Sequence, residues 1–184
     1  MNVTLRPVRE ADAETLLSIY APYVRETVIS LETVPPSVEE FRRRIREITA
    51  VYPYHMAEAG GRVVGYAYAH RFHERAAYDW TAETTVYVGQ DARGRGVGRI
   101  LYETLLDELR RMNVVRASAL ITTENEASLA FHRALGFTED GVVRNCAYKL
   151  GRWVSVATLS KVLQSPAVPA PLIPYPALND RRQS

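Results

Sequence analysis

Apolar residues follow two different rhythms along this chain. A spacing of three or four positions, which puts apolar side chains on one helix face, predicts four helices that begin near residues 11, 38, 98 and 125. Short runs rich in β-branched and aromatic residues predict strands. These strands cover residues 3–6, 54–59, 62–70, 80–88, 116–122, 137–144 and 147–163. The resulting order, β-α-α-β-β-β-α-β-α-β-β, predicts one α/β domain around a mixed, mainly antiparallel sheet.

Turn and cap residues mark the ends of several of these elements. Ser37 with Glu40 three positions later has the pattern of a capping box at the start of the second helix. Gly60-Gly61, between two strand runs, is a strong β-hairpin signal. Gly136 is placed to end the fourth helix, and Gly151 lies near the bend between the last two strands.

The segment Arg93-Gly94-Arg95-Gly96-Val97-Gly98 joins a strand run to a helical pattern. A glycine-rich turn that opens a helix exposes backbone N–H groups at the positive end of the helix dipole, which favours anion binding. The segment lacks the Gly-Lys-Ser/Thr ending of a mononucleotide loop, and its glycines are not spaced G-x-G-x-x-G as in a dinucleotide site. It therefore indicates a phosphate-bearing ligand of another class, with a simple helix-capping turn as the alternative.

Composition and charge limit the domain organisation and the binding partners that we expect. The 184 residues, 47% of them hydrophobic and 24% charged, suit one soluble domain, expected over residues 1–163. Five prolines between residues 166 and 176 predict an extended tail over residues 164–184, either a disordered tag or a segment packed across a subunit interface. The net charge of +2 is spread along the chain, and the basic run at residues 42–44 is interpreted as a solvated helix face.

Several classes of protein are excluded on the same grounds. The low net charge argues against a nucleic-acid partner. The single cysteine, Cys146, excludes an internal disulfide, and the histidines lack the spacing of a metal site. No apolar run is long enough to span a membrane, so we expect no membrane partner and a cytoplasmic location.

Two motifs resemble those of the GNAT superfamily of N-acetyltransferases. The arginine–glycine turn, in the spacing Arg-x-x-Gly-x-Gly, is similar to the acetyl-CoA pyrophosphate loop of that superfamily. The pattern Asn125-x-x-Ser128-x-x-x-His132-x-x-Leu135-Gly136-Phe137 resembles its late helix. A closer resemblance, to the phosphinothricin N-acetyltransferases, covers almost the whole chain and is carried by residues 51–58, 65–69, 77–88 and 148–153. It implies the GNAT fold, a mixed sheet of about seven strands flanked by helices.

The resemblance implies a site for acetyl-CoA as co-substrate, without a metal. Backbone groups of Val86, Tyr87 and Val88 would hold the pantetheine arm, and one of their N–H groups would polarise the thioester carbonyl. Asn125 would hydrogen-bond the pantetheine end from the late helix. Core packing is the alternative for the strand. The pyrophosphate would lie against Arg93, Gly94, Arg95, Gly96, Val97, Gly98 and Arg99.

Two residues are candidates for the proton transfers. Acyl transfer requires a neutral amine, whereas amines are mostly protonated at neutral pH, so a nearby carboxylate removes a barrier. Glu83 matches the glutamate proposed as general base in the phosphinothricin enzymes, with a surface glutamate as the alternative. His132, which shares a helix face with Asn125 and titrates near neutral pH, would serve as acid or base. A packed helical histidine is the alternative there.

Four further residues are candidates for acceptor binding. His73 and Arg75 match positions that contact the substrate in the phosphinothricin enzymes, and Arg75 suits bidentate binding of a carboxylate or phosphinate. Thr84 and Thr85 offer hydroxyl groups beside Glu83. Solvated loop charges are the alternative for His73 and Arg75.

These observations predict an acetyl-CoA-dependent N-acetyltransferase that acts by direct attack on the α-amine of a small amino acid or analogue, of the phosphinothricin, methionine sulfoximine or methionine sulfone type. Two departures from the pattern of the phosphinothricin enzymes argue against phosphinothricin itself as the substrate. Trp153 is not followed by His-Asp, and the loop around Leu31 lacks the usual aromatic residue. The alternatives are acetylation of a polyamine, aminoglycoside or protein N-terminus, and a CoA-binding sensor without catalysis. Family analogy predicts a homodimer.

Overall fold

The computed structural model describes residues 2–180. The order of its strands and long helices is the one predicted from the sequence, with one additional short helix at the end. The elements are β1 (Thr4–Pro7), α1 (Ala13–Glu26), α2 (Val38–Thr49), β2 (Tyr54–Ala59), β3 (Arg62–Arg71), β4 (Thr81–Val88), α3 (Val97–Arg111), β5 (Arg116–Thr122), α4 (Glu126–Ala134), β6 (Thr138–Lys149), β7 (Arg152–Val162) and α5 (Tyr175–Asp180).

The seven strands form one sheet in the order β1-β2-β3-β4-β5-β7-β6. All described neighbours are antiparallel except β4 and β5, so the mixed, mainly antiparallel sheet is confirmed. The parallel pair is short: it begins at Thr81 opposite Arg116 and ends at Glu83 opposite Ser118. Beyond Glu83 the two strands part, which leaves one edge of β4 without a strand partner. An opening is thereby created at the middle of the sheet.

Residues alternate sides along each strand, so each strand sends side chains to both faces of the sheet. Helices cover these two faces. On β2, Met56 packs with α1 and α2, in a cluster that includes Leu16 and Ile45. Its neighbour Ala57 belongs to the cluster on the opposite face, which α3 covers with a row of leucines that includes Leu105. The helices therefore form one layer on each face of the sheet. Packing against these layers holds β4 and β5, and the opening lies between these two strands.

The predicted turns account for two of the element boundaries. Gly60 and Gly61 have φ values of 56° and 73°, the left-handed backbone that the short β2–β3 hairpin turn requires. At the start of α2, the Ser37 hydroxyl accepts a hydrogen bond from the backbone N–H of Glu40 at 3.1 Å. Both features were visible in the sequence.

The division between the last two strands differs from the prediction. Residues 147–149 belong to β6, and the chain turns at Leu150-Gly151, where both residues have positive φ. The predicted break near residue 145 is a bulge within β6: Asn145 has φ 48° and the pairing with β7 is irregular between Val143 and Ala147. A bulge and a strand end carry the same polar sequence signal, which explains the error.

The proline-rich tail lies along its own domain. The Trp80 indole N–H donates to the Ala170 carbonyl at 2.7 Å, and the Ile173 N–H donates to the Met112 carbonyl at 2.9 Å. Leu178 is 6% exposed and belongs to the cluster covered by α3. The tail is extended as predicted up to α5, which the sequence reading missed, and its last four residues lie outside the described part of the chain.

Candidate active site

Residues 93–98, here called the glycine loop, connect β4 to α3. Gly94 and Gly96 have φ values of 71° and 79°, a left-handed backbone that glycine adopts without strain. A Cβ built on either residue meets nothing within 4 Å, so the space above the loop is open. Arg93, Arg95 and Arg99 are exposed around that space. Open backbone, helix dipole and arginines together fit a phosphate group at this loop.

A cavity of about 420 Å³ extends from the glycine loop along the free edge of β4. We call it the glycine-loop cavity. Of the residues that the sequence assigned to the cofactor, all but Arg95 line it. They come from three elements: Val86, Tyr87 and Val88 from β4, the loop and first turn of α3, and Asn125 from the start of α4. Sequence motifs separated by about thirty residues are thus brought to one channel.

Tyr23 on α1 supports this channel in a way that the sequence did not reveal. Its hydroxyl donates a hydrogen bond to the carbonyl of Val88 at 2.6 Å. The guanidinium carbon of Arg93 lies 5.1 Å above the centre of the Tyr23 ring, within the range of a cation–π contact. Tyr23 is therefore joined to both the end of β4 and the glycine loop.

A second cavity of about 520 Å³, called here the Glu83 cavity, adjoins the first. It is lined by Glu83, Thr84, Thr85 and His132, four of the residues that the sequence assigned to catalysis or acceptor binding. Val86, Tyr87 and Asn125 line both cavities, so a group held in one can reach a group held in the other at this shared wall. The Asn125 side chain also caps α4 by accepting from the Ser128 N–H at 3.2 Å.

Glu83 points into its cavity beside a residue that the sequence reading did not select. Oε1 of Glu83 lies 3.5 Å from Nε2 of His70, its direct neighbour across the β3–β4 pairing. The opposite ring nitrogen, Nδ1, lies 3.0 Å from the carbonyl of Arg71. Burial lowers the pKa of His70, but the Glu83 carboxylate and the Arg71 carbonyl together oppose this, so that the net shift is upward.

His132 is 3% exposed and both of its ring nitrogens have partners. Nδ1 lies 2.8 Å from the Ser128 carbonyl, which can only accept, so Nδ1 carries a proton. Nε2 lies 2.8 Å from the Tyr102 hydroxyl, which in turn lies 2.6 Å from the Thr84 hydroxyl. Burial lowers the pKa of His132. The neutral imidazole therefore forms part of the wall of the Glu83 cavity, and its partners on α3 and α4 hold it in place.

The loop between α1 and α2 covers the Glu83 cavity. Ser30, Leu31 and Glu32 line the cavity. The buried ammonium group of Lys149 donates to the Ser30 carbonyl, and the Tyr20 and Ser30 hydroxyls lie 2.7 Å apart. These two contacts tie the loop to the β6–β7 hairpin and to α1.

The cavity's charge depends on two carboxylates. Glu32 is paired with Arg44 of α2 at 2.5 Å, and Glu83 has only His70 within ion-pair distance among the described residues. No lysine or arginine lines the Glu83 cavity in the described part of the chain. The cavity of this chain therefore presents acceptor oxygens rather than cationic groups to a bound molecule.

The two remaining predicted residues, His73 and Arg75, lie elsewhere. Both are exposed in the loop between β3 and β4, and neither lines the glycine-loop cavity or the Glu83 cavity. The His73 ring packs against Phe72 and Tyr78, with ring centres 4.1 and 4.8 Å apart. Their assignment to acceptor binding stays a prediction.

Between residues 2 and 180, no group of three or more histidine, cysteine, aspartate or glutamate side chains is arranged to hold a metal ion. In the same range, no helix is both long enough and apolar enough to cross a membrane.

Comparison with known proteins gives a consistent result. Residues 5–156 match the family model described as acetyltransferase (GNAT) domain. The chain is 38% identical over 164 residues to a phosphinothricin N-acetyltransferase of Alcaligenes faecalis, covering 88% of this chain and 83% of the relative. It is 30% identical to an L-methionine sulfoximine/L-methionine sulfone acetyltransferase of Salmonella typhimurium, covering 91% and 98% of the two chains.

A solved structure agrees with these sequence matches. It is that of a GNAT superfamily phosphinothricin acetyltransferase from Sinorhizobium meliloti in complex with AcCoA. The two folds superpose with a TM-score of 0.88 at 34% identity, and the match covers 96% of this chain and 97% of the other.

Proposed function

The chain belongs to the GNAT acetyltransferase family and is an acetyl-CoA-dependent N-acetyltransferase, and from this premise we propose that it acetylates the α-amine of a small amino acid or analogue. The acceptor is of the phosphinothricin, methionine sulfoximine or methionine sulfone type, as the names of its relatives suggest. One observation carries the proposal: the Glu83 carboxylate lines a cavity that meets the glycine-loop cavity at Val86 and Tyr87.

Acetyl-CoA supplies an activated thioester, and the residues of the glycine-loop cavity fit its parts. The open backbone of Gly94 and Gly96, with Arg93 and Arg99 beside it, suits the pyrophosphate. The edge of β4 that has no strand partner suits the amide groups of the pantetheine arm, because it offers backbone donors and acceptors in a row. Asn125, on the shared wall, is available at the end of that arm.

We assign the removal of the amine's proton to Glu83. An α-amine has a pKa of about 8 and is mainly protonated at neutral pH, and the protonated form cannot attack a carbonyl. A carboxylate in the cavity both attracts the ammonium group and accepts its proton, directly or through water. The neutral amine then attacks the thioester at the shared wall in a direct transfer, without a covalent enzyme intermediate.

The main role that we propose for His132 is structural. An acid or base role would require the imidazole to release either Tyr102 or Ser128, because each ring nitrogen already has a partner. We therefore propose His132 first as a support of the cavity wall that acts with Tyr102 and Thr84. A direct part in proton transfer to the leaving thiolate stays a prediction, which the variants described in the Discussion test.

For the carboxylate of an amino-acid acceptor, we propose Arg75, with His73 beside it in the β3–β4 loop. An arginine there would bind a carboxylate or phosphinate through two parallel hydrogen bonds. Thr85 has a hydroxyl at the cavity, whereas the Thr84 hydroxyl is buried between the Tyr102 hydroxyl and the Ser118 carbonyl, at 2.6 and 2.8 Å. Closing Arg75 onto a substrate requires movement of its loop or a neighbouring copy, because the side chain does not line the cavity here.

One observation favours a second candidate acceptor. The Glu83 cavity is lined by two carboxylates, Glu32 and Glu83, and by no described lysine or arginine. A polyamine or an aminoglycoside, which carries several ammonium groups, suits such a lining better than an anion does. The Arg44 partner of Glu32 reduces this preference, because it already neutralises one of the two charges.

A thiol-release assay separates the two acceptors. The panel contains phosphinothricin, methionine sulfoximine, methionine sulfone, spermidine, an aminoglycoside and a short peptide, each at saturating acetyl-CoA. The proposal predicts turnover with the amino-acid analogues, and its loss when their α-amine is blocked by formylation. Turnover with spermidine, the aminoglycoside or the peptide alone would contradict the amino-acid acceptor.

We further propose that the enzyme is a cytoplasmic homodimer. Tyr148, Leu150 and Trp153 are large apolar side chains exposed together on the β6–β7 hairpin, and pairing two copies would bury them. The exposed Cys146 on the same hairpin has no disulfide partner, which suits a reducing compartment. Sedimentation equilibrium of the wild type and of Trp153→Ser tests the assembly: we expect a dimer that the substitution weakens.

A further inference from the structure

The carboxylate of Glu83 and the ring of His70 form a pair at the rim of the Glu83 cavity. The two residues are register partners on β3 and β4, so the sheet itself fixes their separation. Nε2 of His70 lies 3.5 Å from Oε1 of Glu83, and both side chains line the cavity. The side chain of His70 is 37% exposed, whereas that of Glu83 is 19% exposed. His70 is therefore the more exposed member of the pair, and its ring reaches solvent.

The orientation of the His70 ring is set by its second nitrogen. Nδ1 lies 3.0 Å from the backbone carbonyl of Arg71, an acceptor, so Nδ1 carries the hydrogen in the neutral ring. The lone pair of Nε2 then faces Glu83. The neutral ring can accept a proton from a protonated Glu83, and the charged ring forms an ion pair with the ionised carboxylate. Either state is compatible with the same geometry.

The other ionisable groups around this pair are fixed in one state or paired elsewhere. Tyr68, whose ring centre lies 5.9 Å from that of His70, has its pKa raised to about 12 by burial and stays neutral. Arg71 is paired with Asp79. The remaining ionisable residues that line the cavity are Tyr20 on α1 and Tyr87 on β4, each with its pKa raised by burial, Glu32 in the α1–α2 loop, paired with Arg44, and His132 on α4, with its pKa lowered by burial.

We propose that His70 is a positioning residue for the reaction: its neutral ring takes the abstracted proton from Glu83 and passes it to solvent, and its charged ring holds the restored Glu83 carboxylate. The inference rests on the proposed function, since it assigns the partner of the proposed base. Nothing in the sequence motifs pointed to His70, which lies at the end of a strand run and outside every motif discussed above.

The proton balance of the reaction requires such an exit. An alkylammonium group carries three N–H protons and the amide product carries one. One of the other two protons leaves with the thiol of CoA, and the second must reach bulk water in every turnover. Glu83 accepts this second proton as the amine becomes nucleophilic, and His70 Nε2 then accepts it from Glu83. The carboxylate is restored, and the exposed imidazolium releases the proton to water.

The first test is the pH dependence of turnover in His70→Gln, whose amide can hold the Glu83 carboxylate but cannot carry a proton. In the wild type, kcat rises with pH through the titration of His70, because only the neutral ring accepts a proton from Glu83. We expect the substitution to remove this limb and to lower kcat about 10-fold, with the KM for acetyl-CoA unchanged. Imidazole buffer is expected to restore turnover in His70→Ala.

A double-mutant cycle provides the control. If His70 acts through Glu83, then His70→Gln has no further effect on kcat in the Glu83→Gln background. Superimposable pH profiles of wild type and His70→Gln, or equal effects of His70→Gln in both backgrounds, would overturn the proposal. A structural role alone would scale the whole profile without removing a limb.

An NMR titration decides the pairing independently of turnover. In the wild-type protein, the His70 ring is expected to titrate above the ordinary histidine value, and in Glu83→Gln its midpoint is expected to fall, because the carboxylate no longer opposes burial. A midpoint that does not move overturns the pairing. Absence of turnover by the wild type with every amine would instead overturn the proposed function, while this titration would still decide the His70–Glu83 relationship.

Discussion

The hydroxyl of Tyr102 lies 2.8 Å from Nε2 of His132 and joins α3 to α4 inside the core. The same hydroxyl lies 2.6 Å from that of Thr84 on β4, so one oxygen links α3 to two of the elements that line the Glu83 cavity, β4 and α4. Because Tyr102 is fully buried, its hydroxyl cannot replace these two contacts by hydrogen bonds to water. The geometry of the cavity wall therefore depends on a polar network rather than on apolar packing alone.

We predict that Tyr102→Phe lowers the free energy of unfolding by about 1–3 kcal/mol, because Nε2 of His132 loses its buried partner. Denaturant unfolding measures the difference. The matched control is Tyr78→Phe, which removes a hydroxyl from an exposed ring in the β3–β4 loop and is expected to change the stability by less than about 0.5 kcal/mol. Equal stability of the two variants would contradict the network.

Burial of His132 predicts a specific pH dependence of stability. Its pKa in the folded protein is lowered from the ordinary value of 6.5, so the unfolded chain binds the proton more readily. The corresponding stabilisation is present above pH 6.5 and is lost as the pH falls through the lowered pKa. We expect the stability difference between wild type and His132→Asn to shrink on acidification from pH 8 to pH 5, measured by urea unfolding. A difference independent of pH would contradict the buried neutral imidazole.

The same variant tests whether His132 takes part in the chemistry. A supporting role predicts that folded His132→Asn keeps the shape of the pH–rate profile and changes kcat by less than about 10-fold. A loss of about 100-fold or more, together with a lost limb of the profile, would assign proton transfer to His132 instead. The measurement is a pH series of steady-state kinetics at saturating acetyl-CoA.

A substitution at Gly98 is expected to stabilise the fold and, at the same time, to weaken the binding of acetyl-CoA. Its φ is not positive, and a Cβ would meet Val88 and Phe131 at 3.6 and 3.7 Å, ordinary contact distances. Gly98→Ala in α3 is therefore expected to stabilise the protein by about 0.5–1 kcal/mol. The added methyl group lies between two residues that line the glycine-loop cavity, so the KM for acetyl-CoA is expected to rise several-fold.

Thermal unfolding and steady-state kinetics measure the two effects of Gly98→Ala. Gly141→Ala serves as the control, since a Cβ there meets nothing within 4 Å and the residue lies on β6, away from both cavities. An unchanged KM for acetyl-CoA in Gly98→Ala would show that the cofactor does not pass this position.

Lys149 offers a test of the loop that covers the Glu83 cavity. Its ammonium group is buried, which lowers its pKa, and it donates to the Ser30 carbonyl. Lys149→Met removes this tie, so the KM for the amine is expected to rise several-fold while the KM for acetyl-CoA stays the same. Lys161→Met is the matched control, because Lys161 also donates to a backbone carbonyl, that of Leu135, but lies outside both cavities. Equal kinetics of the two variants would contradict the role of Lys149.

The donor side of the site was largely predictable from sequence, because its residues lie in continuous motifs. The glycine loop must follow β4 and open α3, and its positive φ values leave glycine as the natural residue at positions 94 and 96. Asn125 is visible as a helix cap for the same local reason. Local rules of turns and caps thus carry the prediction of the glycine-loop cavity.

The acceptor side was less predictable, because it depends on contacts between distant segments. The distance between His70 and Glu83 follows from the β3–β4 register, and the long loop that joins these strands leaves that register open in the sequence. Lys149 reaches Ser30 across 119 positions of chain. No local pattern marks a lysine as buried; its position becomes evident only when the hairpin and the α1–α2 loop are packed together.

The proposed role of Glu83 as the group that deprotonates the amine is the centre of this account, and the pH–rate profile of Glu83→Gln tests it most directly. We predict that kcat falls by about 10²–10⁴ with unchanged affinity for acetyl-CoA, and that the residual rate rises with pH as the amine loses its proton to water. Glu139→Gln, an exposed glutamate on β6, is expected to behave as the wild type. A Glu83→Gln variant with wild-type kcat at neutral pH would contradict the account.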